Sequence, residues 1–175
     1  MKNKKQEKCL AVDRLLRRRL YVTLAAAVLL GILYSLIFRF SAQDSGESGS
    51  LSRMISEKCV GFLNWLSGFR WNEAKKAEMA GWLEYPLRKL AHFSEYACMG
   101  VLVYTLWSQW ITQRRRLYVL TVVWVFLSAA GDEFHQYFVP GRCASFADVL
   151  LDTGGGAFGM LFCMAVCWCC RKPFR

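Results

Sequence analysis

Acidic, basic and amide side chains recur at helical spacing in this chain. Lys89, His92 and Tyr96 fall within about 60° of one another on one helix face. Two later segments contribute further carboxyl and amide groups, namely Asp132, Glu133, Gln136, Asp148 and Asp152. The loop between those segments adds Arg142 and Ser145 beside a Pro-Gly turn signal. These ten residues are the candidate functional residues of the chain.

Their side-chain types point to acid/base chemistry or to anion binding. His92 with Glu133 or Asp132 is a candidate catalytic acid/base pair. Lys89 and Arg142 suit a phosphate or a carboxylate, which arginine grips in a bidentate manner. The other candidate ligand-binding residues are Tyr96, Gln136, Ser145, Asp148 and Asp152. No recognised metal-ligand spacing and no Gly-rich nucleotide loop occurs, so we predict neither a metal nor a cofactor.

The composition indicates that a membrane surrounds these groups. The 175 residues are 55% apolar and carry a net charge of +10. An ordinary soluble enzyme is less apolar, and a nucleic-acid-binding surface needs its basic residues on one folded face. Here the basic residues instead cluster between long apolar runs, which is typical of an integral membrane protein. We therefore predict the lipid bilayer, and no nucleic acid, as a partner.

The apolar runs predict an all-α polytopic membrane protein with four transmembrane helices. They cover residues 20–38, 87–112, 117–137 and 153–170, each close to the length that crosses a bilayer core. The first run is longer than a signal-peptide core and is followed by Arg39, so we interpret it as an uncleaved anchor. Residues 87–170 would form a three-helix membrane core.

The basic residues predict the orientation of these helices. Fourteen of the 23 Lys and Arg residues lie in residues 1–19, 114–116 and 171–175. The positive-inside rule then places both tails, 1–19 and 171–175, in the cytoplasm, and it places residues 39–86 outside. The polar ends of the last three helices would share one depth in the outer leaflet.

The outer segment, residues 39–86, contains two stretches with amphipathic helical spacing. Residues 51–66 and 71–82 each combine apolar and charged side chains at that spacing. They fit helices at the membrane interface, where Trp is favoured, or a small extracellular helical cap without lipid contact.

Small residues and cysteines add two structural expectations. Gly155 and Gly159 share a helix face with Asp148 and Asp152, which predicts a small-xxx-small contact surface. Cys59 and Cys143 both fall outside in this topology, where a disulfide is permitted but not required.

Three motifs in these segments together resemble the VanZ-like family. They are K-x-x-H-x-x-x-Y from Lys89, D-E-x-x-Q-x-x-x-P-x-R from Asp132, and S-x-x-D-x-x-x-[N/D]-x-x-G from Ser145. The serine-rich stretch FSAQDSGESGSLS after the first apolar run is also similar to that family. The resemblance implies a bacterial multi-pass protein of the cell membrane. It also implies an association with resistance to the lipoglycopeptide antibiotic teicoplanin, because a named member has that association.

Two interpretations of the polar groups remain open at this point. They form either a structural clasp of opposite charges or a cleft that opens to the outside and binds a polar ligand. With a cleft, the chain is a resistance factor acting on a lipoglycopeptide antibiotic, or an enzyme acting on a lipid-linked envelope precursor or lipid headgroup. A proton-coupled transporter is a third hypothesis, and four helices would then require an oligomer.

Overall fold

Five α-helices make up the computed structural model, which describes residues 2–43 and 45–171. The helices are α1 (Lys2–Ser41), α2 (Ser45–Leu66), α3 (Glu73–Ser108), α4 (Arg114–Gln136) and α5 (Phe146–Arg171). The described residues contain no β-strand, which confirms the all-α prediction. Most of the predicted cytoplasmic tail at 171–175 lies outside the described residues.

The central element is α3, which packs against each of the other four helices. Its residues Tyr96, Met99 and Val103 are almost fully buried in the core. Side chains from α1, α4 and α5 complete that core, including Leu30, Ile37, Val125, Ala129 and Val149. The helix that carries Lys89, His92 and Tyr96 is therefore in contact with every other element.

Polar groups lie inside this bundle and apolar groups cover much of its surface. Glu133, Gln136 and Asp152 are buried. Large apolar side chains are exposed along α1, α4 and α5, among them Leu24, Val28, Ile32, Val119, Val123, Leu127, Phe158, Leu161 and Phe162. So much exposed apolar surface is unfavourable in water but suits contact with lipid.

Three helical segments, rather than the predicted four, are long and apolar enough to cross a membrane. They are Val12–Ser41, Arg114–Gln136 and Phe146–Cys169. The predicted span in residues 87–112 lies in α3, whose first half carries Arg88, Lys89, His92 and Glu95. These polar side chains lower the hydropathy of the segment. The described residues thus confirm long apolar helices but not a count of four spans.

The predicted outer segment forms one separate helix and the start of a second. Gly68 and Phe69 adopt positive φ after α2, and the Asn64 side chain accepts a hydrogen bond from the Trp71 backbone N–H at 3.0 Å. Asn72 then caps α3, which continues without a break through Pro86. The stretch 71–82 was predicted to be a helix of its own. It is instead the first part of α3, because the cap starts a helix that Pro86 does not end.

Glycine allows α3 and α5 to approach at backbone distance. A Cβ atom at Gly159 would overlap the backbone carbonyl of Ala97, and one at Gly155 would overlap that of Phe93. Gly100 of α3 faces the backbone of Gly156 in the same way. The small-xxx-small contact predicted at Gly155 and Gly159 is confirmed.

Replacing one of these glycines should weaken the α3–α5 contact. We expect Gly159→Ala to lower the free energy of unfolding by about 1–3 kcal/mol, because the added methyl must push two backbones apart. Gly154→Ala is the matched control, since a Cβ there meets nothing within 4 Å. It should be neutral or stabilising by up to about 1 kcal/mol. Unfolding of both purified variants in detergent measures the difference, and equal stability would contradict the close contact.

Candidate functional site

An ion pair joins α3 to α5 at one end of the glycine contact. The Lys89 ammonium contacts the Asp148 carboxylate, and each side chain is 24% exposed. The Lys89 ammonium also lies 5.2 Å from the centroid of the Tyr85 ring. Two candidate ligand-binding residues predicted from separate segments are therefore directly bonded to each other.

Glu133 fixes the start of α5. Its Oε2 accepts a hydrogen bond of 2.9 Å from the backbone N–H of Ser145, directly before the helix begins. This bond places the buried Glu133 carboxylate at the positive end of the α5 dipole. In this structure one of the two acids predicted as a partner of His92, Glu133, therefore joins α4 to α5.

A chain of hydrogen bonds runs from α4 to the end of α1 through Arg142. Gln136 Nε2 donates to Asp132 Oδ2 at 3.0 Å, and Arg142 Nη1 donates to Gln136 Oε1 at 3.0 Å. The same guanidinium donates from Nε to the Gln43 carbonyl at 3.0 Å and from Nη2 to the Phe40 carbonyl at 2.8 Å. Burial lowers the pKa of Arg142, and the charge of Arg88 acts in the same direction. Arg142 thereby supplies a partner for one carbonyl in the last turn of α1 and for another two residues after that helix ends.

We call this set of bonded groups the polar clasp. Its members are Lys89, Asp132, Glu133, Gln136, Arg142, Ser145 and Asp148. They link α3, α4 and α5 to one another and to the end of α1.

A cavity of about 360 Å³ lies beside the clasp, between the end of α1, α2 and α3. We call it the His92 cavity. Apolar side chains form most of its wall, and polar groups lie along the rest. The lining residues are Phe40, Gln43, Ser52, Ile55, Leu87, Arg88, Leu90, Ala91, His92, Ser94, Glu95 and Arg142. An apolar wall next to a few charged groups is typical of a ligand site.

Glu95, rather than Glu133, is the acid nearest to His92. Glu95 Oε2 lies 3.7 Å from His92 Nδ1, and both residues line the His92 cavity. His92 Nδ1 has no hydrogen-bond partner among the described residues. Sequence reasoning left Glu95 and Arg88 out of the candidate site. The signal that indicates Glu95 is its position three residues after His92 on the same helix.

Tyr96 and Asp152 lie inside the bundle and do not line the His92 cavity. Tyr96 is 1% exposed and Asp152 is 2% exposed. Asp152 Oδ1 is buried without a hydrogen-bond partner among the described residues. These two of the ten candidate residues are therefore buried in the bundle interior rather than at the cavity.

The structure also bears on metal binding and on a disulfide between Cys59 and Cys143. Within the described residues, no group of three or more His, Cys, Asp or Glu side chains is arranged to hold a metal ion. Cys59 and Cys143 are free thiols, so the permitted disulfide is not formed in this structure.

The pairing of Lys89 with Asp148 should show as energetic coupling. We expect Lys89→Met and Asp148→Asn each to lower the free energy of unfolding by about 1–3 kcal/mol, because each leaves a partly buried partner unpaired. A double-mutant cycle in detergent should give a coupling of about 1–2 kcal/mol. The control cycle uses Lys75 and Glu78, an exposed pair on the same helix, whose coupling should stay below about 1 kcal/mol. Equal coupling in the two cycles would argue against the clasp.

One known protein family matches most of the chain. The family model described as VanZ/LLP1 matches residues 26–168, which include every member of the polar clasp and the whole lining of the His92 cavity. Searches among curated proteins and solved structures find no match. A match over more than half of the chain, on a bundle with membrane-like apolar helices, shows that the chain belongs to the VanZ/LLP1 family.

Proposed function

We propose that this protein is a membrane resistance factor that protects cells against lipoglycopeptide antibiotics such as teicoplanin, and that it acts through the His92 cavity. The observation that carries the proposal is the combination of an apolar wall with charged groups in one cavity at the end of the bundle. A lipoglycopeptide has the matching chemistry of an apolar chain joined to a polar part. Membership of the VanZ/LLP1 family supports the same conclusion.

Arg88 and Arg142, the two arginines that line the His92 cavity, have different roles in this proposal. Arg142 is held by Gln136 and two backbone carbonyls, so it forms a fixed edge of the cavity. Arg88 makes no hydrogen bond or ion pair with any side chain that the structure describes. It is therefore the guanidinium that receives an anionic group of the ligand.

The proposal includes a topology of four spans with both termini in the cytoplasm of a bacterial cell. The additional span is α3, whose charged half lies in the bundle. There Lys89 pairs with Asp148, and Glu95 lies beside His92. Basic residues near the start of α1 and at Arg114–Arg116 occupy the opposite end of the bundle. The His92 cavity then opens at the outer face, where cell-wall antibiotics act.

Filling the cavity should remove protection without disturbing the clasp. We expect cells that produce the Ala91→Trp variant to be as sensitive to teicoplanin as cells without the protein, because the indole occupies the ligand volume. Ala74→Trp is the matched control, since Ala74 is an exposed alanine of the same helix and does not line the cavity. The growth-inhibiting concentration of teicoplanin is measured at equal protein levels. Full protection by the Ala91→Trp variant would contradict the proposal.

The alternative function is an enzyme that modifies a lipid-linked envelope precursor or a lipid headgroup. The unpartnered His92 Nδ1 beside Glu95 favours it, because a histidine with an adjacent acid suits general acid/base chemistry. Lipid and precursor profiles of producing cells separate the two functions. A binding protein leaves both profiles unchanged. An enzyme changes the lipid or precursor profile, and its His92→Gln variant then leaves that profile unchanged.

A further inference from the structure

A second and larger cavity lies at the opposite end of the bundle. It has a volume of about 810 Å³ and is bounded by α1, α3, α4 and α5. Its basic lining residues are Arg18, Arg19 and Arg114, and we call it the Arg114 cavity. Val22, at this cavity, and Phe40, at the His92 cavity, lie in the same helix. They are about 27 Å apart at a rise of about 1.5 Å per residue. That separation is close to the thickness of a bilayer's hydrocarbon core.

The positive charge of the Arg114 cavity is not neutralised by the described part of the chain. No acidic side chain lines the cavity. Asp13, the nearest acidic residue in sequence with a described side chain, pairs with Arg17 at 3.0 Å. Arg18, Arg19 and Arg114 form no ion pair with any side chain that the structure describes. Three guanidinium groups around one cavity therefore favour an anionic occupant.

The rest of the lining indicates that this anion carries an apolar chain. Val22, Leu161 and Met164 line the cavity next to the basic groups. Leu161 is exposed, and so is Trp168, which lies about two turns further along α5 and also lines the cavity. The apolar wall thus continues onto a helix face that suits lipid. A free inorganic anion would make no use of this wall, whereas the acyl chain of a lipid would cover it.

We propose that the Arg114 cavity binds the phosphate group of an anionic phospholipid, with its acyl chain along α5. Basic pockets between membrane helices recognise anionic headgroups by this combination of charge and apolar contact. The start of α4 adds to the attraction, since Gln113 makes no side-chain capping hydrogen bond and leaves backbone N–H groups near Arg114. This site is independent of the function proposed for the His92 cavity.

Lipid retention by the full-length protein tests the site. The protein is reconstituted in vesicles of equal amounts of phosphatidylglycerol and phosphatidylcholine, extracted in mild detergent, and its retained lipid is measured by mass spectrometry. We expect phosphatidylglycerol to be retained in preference to phosphatidylcholine. The Arg18→Gln/Arg114→Gln variant should lower that retention on the order of tenfold. The control Arg70→Gln removes an exposed charge distant in sequence from this cavity and should leave retention unchanged.

A second arm separates lipid from free phosphate. Inorganic phosphate added during extraction should not displace the retained phosphatidylglycerol, because it cannot replace the apolar contact. Displacement by inorganic phosphate would show a site for a soluble anion and would overturn the lipid proposal. Equal retention of the two lipids by the unaltered protein would overturn it as well, and that comparison does not depend on whether the double variant folds.

Discussion

The close approach of α3 and α5 is the constraint on which the rest of the structure depends. Glycines at positions 100, 155 and 159 leave no side chains between the two backbones, so the helices meet at a distance that alanine would prevent. In a lipid environment such van der Waals contact replaces the hydrophobic effect as the force between helices. It also sets which polar residues meet, because Asp148 lies on the same face of α5 and reaches Lys89 of α3.

The polar clasp and the His92 cavity lie side by side and share Arg142. A clasp and a cleft were alternative interpretations of the same residues, and the structure contains a bonded set beside an open volume. Arg142 belongs to both, since it bonds to Gln136 and to carbonyls at the end of α1 while lining the cavity. The charges that would be costly near lipid are thus satisfied by one another and hold the wall of the cavity in place.

Residue spacing predicts much of the fold, whereas the contacts within the candidate site depend on how the helices rotate and pack. The all-helical fold and the Gly155–Gly159 contact follow from periodicity and small residues. The position of Glu95 beside His92 did not follow from these sequence patterns. Positions on one helix show which side chains share a face, but not that α2 packs beside α3 and leaves a cavity there. Capping by Glu133 was also missed, because a carboxylate in a polar cluster has the same sequence signal whether it caps a helix or binds a ligand.

The accessibility of the His92 cavity from outside the cell tests the account most directly. Ser94 lines this cavity, and Cys167 lines the cavity at the opposite end. In chains whose other cysteines are replaced, a membrane-impermeant thiol reagent is applied to intact and to permeabilised cells. The account predicts that the Ser94→Cys variant reacts in intact cells, whereas Cys167 reacts only after permeabilisation. Reaction of the Ser94→Cys variant only after permeabilisation, or under neither condition, would contradict an outward-opening cavity.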